Sequence, residues 1–299
     1  MRFRRTTLAA GMAVAALTLA ACGGDGDGGD GGAEPTVAET AEFEAGTTMA
    51  ELADAGSMTV GTKFDQPGFG LANLEGVPEG FDVEIAKIIA GKLGISPENI
   101  EWVETPSAVR EEVIERGEVD MVVATYTIND KRKERISFAG PYYVAGQQLM
   151  VTSDNDTITG PDDLKANPDA KVCSVTGSTP SENIKEYLAS DDQLVLFDVY
   201  DKCADALRTG QVDVVTTDNV ILLGFVSESD GEFKLVGDQF TEEPYGIGIT
   251  KGDTAFCEFI NETLQEAAES GAYEEAWNST AGEVEGSQTP ELPELEPCS

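Results

Sequence analysis

The residues able to do chemistry in this chain are few and unevenly spread. Histidine is absent, which excludes a Ser-His-Asp triad, a Cys-His pair and a zinc site with imidazole ligands. One segment favours an anion. Gly177-Ser178-Thr179-Pro180 stands where a strand turns into a helix, and the free amides and helix dipole there attract negative charge. Asp25, Asp27 and Asp30, within the Gly/Asp run 23–32, gather hard oxygens of the kind calcium takes. That run has no closing glutamate and no flanking helix, so it fails the EF-hand pattern and reads as a flexible, self-repelling tether. Neither a metal nor a cofactor is expected.

Charge narrows the partners. The 299 residues carry 56 Asp+Glu against 19 Lys+Arg, a formal charge of −37, which repels nucleic acid and anionic lipid alike. The chain is nevertheless globular in composition, because 40% hydrophobic and 25% charged residues can build a core. Its length corresponds to roughly two domain-sized units.

The elements that must hold such residues alternate along the body. Strands are expected at 58–62, 100–103, 120–124, 171–175 and 212–216, with an extended segment at 142–152. Helices are expected at 81–93, 107–116, Asp130–Arg135, 180–189, 202–209 and 254–270. The first helix sets Phe81, Ile85, Ile88, Ile89 and Leu93 on one face, ahead of Gly94. The last sets Phe256, Phe259, Ile260, Leu264 and Ala267 together. Short apolar strands alternating with amphipathic helices predict an α/β fold with mostly parallel sheets, covered on both faces. An internal echo sharpens this: GEVDMVVAT at 117–125 and GQVDVVTTD at 210–218 share a helix-stop glycine, Val-Asp and an apolar strand, 93 residues apart. Two similar lobes follow. Because ligands sit beyond the carboxyl ends of strands in such sheets, Thr125 and Asp218 would face each other across an interlobe cleft.

The N-terminus reads as an export signal. Arg2, Arg4 and Arg5 precede an apolar stretch, Leu8–Ala21, too short to span a bilayer. It ends in Leu19-Ala20-Ala21-Cys22, which resembles the lipobox of bacterial lipoproteins, where the chain is cut before a cysteine that then carries diacylglycerol. Residues 1–21 are thus expected to be a signal peptide, and 22–56 a lipidated cysteine with an acidic tether, order beginning near Ser57. Removing three of the 19 basic residues leaves 16 against 56, a formal −40. The remaining cysteines, Cys173, Cys203, Cys257 and Cys298, are even in number in an exported chain, which favours two disulfides. Of three possible pairings, Cys173–Cys203 and Cys257–Cys298 each join one sequence neighbourhood, the second stapling the Pro/Glu-rich tail to the body.

After the first echo strand come Thr125-Tyr126-Thr127-Ile128-Asn129-Asp130-Lys131-Arg132 and then Phe138-Ala139-Gly140-Pro141-Tyr142-Tyr143. This run resembles the signature of the bacterial family 3 extracellular solute-binding proteins of amino-acid ABC importers, with Asn129-Asp130 in place of the usual Thr-Glu. The likeness covers roughly residues 57–280 and is greatest to the glutamate-binding branch (FDQPG at 64–68, ETPSAVRE at 104–111, ATYTINDKRKE at 124–134). It implies a two-lobed periplasmic-binding-protein type 2 fold, with lobe 1 at 57–148 and 246–285, lobe 2 at 149–245, a tail at 286–299, and crossovers near 147–152 and 242–250. It further implies that Arg132 holds the ligand α-carboxylate with a bidentate fork, that Thr125, Thr127, Ser178 and Thr179 complete the cradle, and that Asp218 pairs with the α-ammonium while also standing as a helix N-cap.

In this family the position after the first strand, here Lys63, contacts the ligand side chain, and Arg110 resembles the second cation of glutamate and aspartate binders. A buried cation facing a cationic ligand would lose roughly a thousandfold in affinity. The implied ligand is an acidic amino acid, glutamate before aspartate, with glutamine or asparagine as the alternative. Stacking aromatics are missing at 104–107, and Phe64, Phe69 and Tyr126 are the candidate wall residues. The expected protein is a monomeric, lipid-anchored receptor on the outer face of the cytoplasmic membrane that hands its ligand to an ABC permease. A dehydratase-type enzyme or a sensor domain on the same scaffold are the competing readings.

Overall fold

The computed structural model describes residues 37–38 and 42–299; the signal segment, Cys22 and the Gly/Asp run lie outside the described residues. The body contains two five-stranded sheets of the same design. In the first, the order is Ile100–Glu104, Met58–Thr62, Met121–Val122, Glu243–Ile249 and Ser137–Ala145. In the second it is Leu194–Phe197, Val172–Val175, Val214–Asp218, Gln147–Thr152 and Phe233–Val236. Each has three parallel strands, a fourth antiparallel to the third, and a fifth antiparallel to the fourth. The two echo segments supply the third strand of each sheet, so the short internal repeat marks equivalent positions in two like lobes. A small three-stranded sheet, Asp65–Gln66, Gly70–Ala72 and Pro78–Glu79, stands beside them.

The helix Thr254–Ser270 forms where the periodicity places it. Asp253 caps it by accepting from the Phe256 amide, and Gly271 ends it at φ 88°. Phe256, Ile260, Leu264 and Ala267 are buried, each large side chain contributing about 1.5–3 kcal/mol on removal from water. Phe259 packs edge-on against Phe43 with ring centres 5.5 Å apart. The helix Phe81–Lys92 is as legible, with its entry fixed by Gly80 at φ 136°. A Cβ there would lie 2.4 Å from the Phe69 backbone.

Several boundaries differ from expectation. Order extends N-terminal of Ser57, because Thr48–Ala55 is a helix capped by Thr47 and closed by Gly56 at φ 65°. The strand expected at 120–124 is only Met121–Val122, since the chain turns at Thr125, a non-glycine residue at φ 45°. The helix expected over 107–116 begins at Arg110. That expected over 180–189 is Thr179–Asn183, tightening to a 3₁₀ turn over Ile184–Tyr187. The segment 147–152 is a strand of the second sheet, so the chain crosses between sheets at Gly146. The return lies between Val236 and Glu243, ahead of the strand Glu243–Ile249 that occupies the expected crossover 242–250. Both disulfides join the expected partners, Cys173 to Cys203 and Cys257 to Cys298.

Val284 and Ser287 border Val220 and Leu223 of the second lobe, and the residues from Leu292 onward form a strap on the first. Leu292, Leu295 and Cys298 pack on the core, and the Glu296 amide donates to the Gly140 carbonyl at 2.7 Å. The strap thereby meets Ser137–Ala145, an edge strand whose open side would otherwise present unpaired backbone groups.

Candidate functional site

The carboxyl ends of the third strands in the two sheets converge, and the side chains beyond them meet. Between the lobes lies a narrow, partly open cavity of about 10 Å³. Six of the eight expected ligand residues line it: Arg110, Thr125, Thr127, Ser178, Thr179 and Asp218. Arg132 lines an adjoining, more open groove that shares Ser178 and Thr179 with it. Lys63 lines neither; it is 2% exposed and donates through Nζ to Ser107 Oγ, 2.9 Å away, whose residue forms part of the cavity wall.

The lobes touch around this cavity. Thr127 Oγ1 and Thr179 Oγ1 are 3.2 Å apart. Arg132 Nη2 donates to the Gly177 carbonyl at 3.2 Å, while its Nη1 donates to the Thr127 carbonyl at 2.6 Å. Tyr245, on the first sheet, donates its hydroxyl to Asp218 Oδ2 at 2.6 Å. Asp65 Oδ2 accepts from the Tyr200 amide at 2.6 Å, so a first-lobe carboxylate sits on the first turn of the second-lobe helix Tyr200–Arg208. Gly177, at φ 80°, lets the second lobe approach; a Cβ there would be 2.8 Å from the Ala108 Cα.

Charges are concentrated and desolvated. Burial, and next the nearby Arg110, bring the Lys63 ammonium down from 10.5 to about 7. Burial, and next the Arg132 charge, bring Arg110 down to about 10. Arg110 Nη1 donates to the Ala124 carbonyl at 2.8 Å, and its Nε finds no partner among the described residues. Asp218 is pushed up to about 7, first by burial and then by Glu243. Its Oδ1 finds no partner among the described residues. It stands at the N-cap of the helix Asn219–Ser227, yet its side chain makes no capping bond. On the neighbouring helix of the same lobe the capping oxygen is Ser178 Oγ, which accepts from the Ser181 amide at 3.1 Å, and Thr179 is the first helical residue.

Some contributors were not picked out from the sequence. Asp82 accepts from the Thr125 amide at 2.8 Å and from the Tyr142 hydroxyl at 2.5 Å, holding the strained turn. Glu111 Oε1 lies 3.2 Å from Arg132 Nε and orients the fork. The available signal was an acid buried at the second position of a helix, Phe81-Asp82, where a solvated first-turn acid is the ordinary reading. Of the candidate wall aromatics, Phe69 belongs to a core cluster with Phe81, Tyr143, Tyr245 and Trp277. Phe64 lines neither cavity. Tyr126 lies under both arginines, its ring centre 4.0 Å from the Arg110 guanidinium carbon and 4.9 Å from that of Arg132. Among the described residues, no group of three or more His, Cys, Asp or Glu is assembled to hold a metal.

Paired cations on the first lobe, Arg110 and Arg132, thus act on a second-lobe carboxylate, Asp218, across the cleft. The model of the bacterial extracellular solute-binding proteins, family 3, matches residues 58–280, and the chain belongs to that family. It is 40% identical to the glutamate-binding protein GluB of Corynebacterium efficiens, over 94% of this chain and 92% of the relative. It is 36% identical to the ABC transporter glutamine-binding protein GlnH of Bacillus subtilis, over 88% of this chain and 92% of the relative. Among solved structures it resembles an ancestral arginine-binding protein bound to glutamine, at 34% identity and TM-score 0.70, over 76% of this chain and 99% of the other. The fold is thus the two-lobed type 2 periplasmic-binding-protein fold, and the protein is an amino-acid receptor of the solute-binding kind.

Proposed function

We propose that this receptor takes an acidic amino acid, glutamate before aspartate, and passes it to an ABC permease from a lipid anchor on Cys22, as a monomer on the outer face of the cytoplasmic membrane. The observation that carries the ligand is the convergence of three buried cations, Lys63, Arg110 and Arg132, opposite Asp218. One anionic group and the α-ammonium account for Arg132 and Asp218; two further desolvated cations call for a second anion. Asp65 and Asp82 offset part of that charge, but no carboxylate among the described residues bonds to Arg110, so a distal carboxylate gains where a neutral side chain does not. The similarity to a glutamate-binding protein supports the same ligand.

In this reading Arg132, Thr127, Thr125, Ser178 and Thr179 cradle the α-carboxylate, Asp218 takes the ammonium through Oδ1, and Arg110 with Lys63 faces the distal carboxylate. Binding is non-covalent, and the ligand favours the closed arrangement because it touches both lobes. Glutamine is the second reading, favoured by the glutamine-binding relative and by Ser107, which can meet an amide as readily as it meets Lys63. Calorimetric titration of Lys63→Met and Arg110→Gln separates them. Glutamate affinity should fall about a hundredfold in each and glutamine affinity less than about fivefold. Equal losses for both amino acids would refute the distal-carboxylate assignment.

A further inference from the structure

We propose that Tyr126 is a positioning residue that holds Arg110 and Arg132 as one unit, its ring fixing the spacing between the group that takes the ligand α-carboxylate and the group that takes the far end of the ligand side chain. The inference rests on reading both arginines as ligand-binding residues.

Two guanidinium groups this close and this buried repel each other, and each depresses the proton affinity of its surroundings. Arg132 has a carboxylate partner in Glu111 and two carbonyls. Among the described residues, Arg110 has only the Ala124 carbonyl at 2.8 Å and the Thr125 carbonyl at 3.5 Å, with no carboxylate bonded to it. The feature common to both is the Tyr126 ring, within 5 Å of each guanidinium carbon. An aromatic face attracts a cation most strongly where water is excluded, and it does so without occupying the N–H donors that a ligand carboxylate needs.

The ring itself is locked. Phe138 meets it edge-on with ring centres 4.9 Å apart. Gly248 makes room for it, since a Cβ there would be 2.8 Å from Tyr126 Cε1. The Tyr126 carbonyl accepts from the Gly246 amide at 2.9 Å, and the preceding Thr125 is pinned by Asp82. The tyrosine hydroxyl has no partner in full hydrogen-bond geometry among the described residues, but Glu111 stands close enough to help raise its proton affinity, so the phenylalanine variant separates the ring from the hydroxyl.

The test titrates the unmodified chain, Tyr126→Phe and Tyr126→Leu with the tightest-binding amino acid and with alanine, whose side chain reaches no distal group. Tyr126→Phe should keep both affinities within about threefold. Tyr126→Leu should lose about tenfold or more for the tight ligand and less for alanine, so the ratio between them narrows. Circular dichroism establishes folding, and Tyr126→Met replaces the leucine variant if that one does not fold. An unchanged ratio in a folded ring-less variant overturns the proposal, as does a phenylalanine variant that behaves like leucine. If the unmodified chain bound no amino acid, the underlying reading and this inference would both fall; an unchanged ratio beside intact binding overturns this inference alone.

Discussion

The unusual feature at the scale of single residues is that the site holds its charges at a cost. Lys63 is depressed to about 7, while Asp218 and Asp82 are raised to about 7. In the ligand-free chain the Lys63 shift destabilises fully below about pH 7 and is relieved as pH rises toward its unfolded value. The two aspartate shifts destabilise fully above about pH 7 and are relieved as pH falls toward theirs. Near neutrality all three penalties coincide, and a ligand bearing an ammonium and two carboxylates relieves those on Lys63 and Asp218. Glutamate affinity should therefore peak near pH 7. It should decline above, where binding must recharge Lys63 by taking up a proton, and below, where it must strip one from Asp218. Titrations in buffers of different ionisation enthalpy count these protons, and Lys63→Met should abolish the alkaline limb alone. A profile flat from pH 5.5 to 8.5 would contradict the assignment of both groups to the ligand.

These roles were only partly legible in the sequence. The roles expected for Arg132, Thr127 and Asp218 came from the resemblance to the family, Arg132 and Thr127 standing in its 125–132 run and Asp218 at the end of the second echo strand. Those of Asp82, Glu111 and the carbonyls of Ala124 and Gly177 could not be foreseen, because an acid in a helix or a main-chain oxygen carries no mark of the neighbour that folding gives it.

Elements were legible where their hydrophobic pattern was clear. The helix Thr254–Ser270 and the strand Met58–Thr62 lie within the expected bounds. Short elements shifted, because tertiary contacts set their ends: Met121–Val122 stops early where Asp82 pins Thr125, and Thr48–Ala55 lay unseen in a polar stretch that earns its place by packing near the last long helix. The C-terminal strap could be foreseen from Cys298 alone, its contacts with the edge strand could not. Replacing Cys298 by serine opens a loop of 41 residues, and the chain-entropy argument gives a loss of about 4 kcal/mol as an upper value. Denaturant unfolding should register that loss while glutamate affinity stays within about twofold, since the strap lies on the first lobe away from the cleft. A large change in affinity would mean that the strap shapes the site.

At the scale of the whole molecule, two sheets of one design bring two equivalent strand ends face to face, and hydrogen bonds across the cleft join Thr127 to Thr179, Arg132 to Gly177, Tyr245 to Asp218 and Asp65 to Tyr200. Such contacts gain modestly over water one by one. A ligand that adds bonds to both lobes would therefore favour the arrangement in which they meet. The direct test is thermal unfolding of residues 23–299 with each of the twenty amino acids at about 1 mM, where a micromolar ligand adds roughly 4 kcal/mol. A raised midpoint for glutamate, alone or with a smaller rise for aspartate, is the predicted result. A rise for glutamine or a basic amino acid with none for glutamate would contradict the account of Lys63 and Arg110.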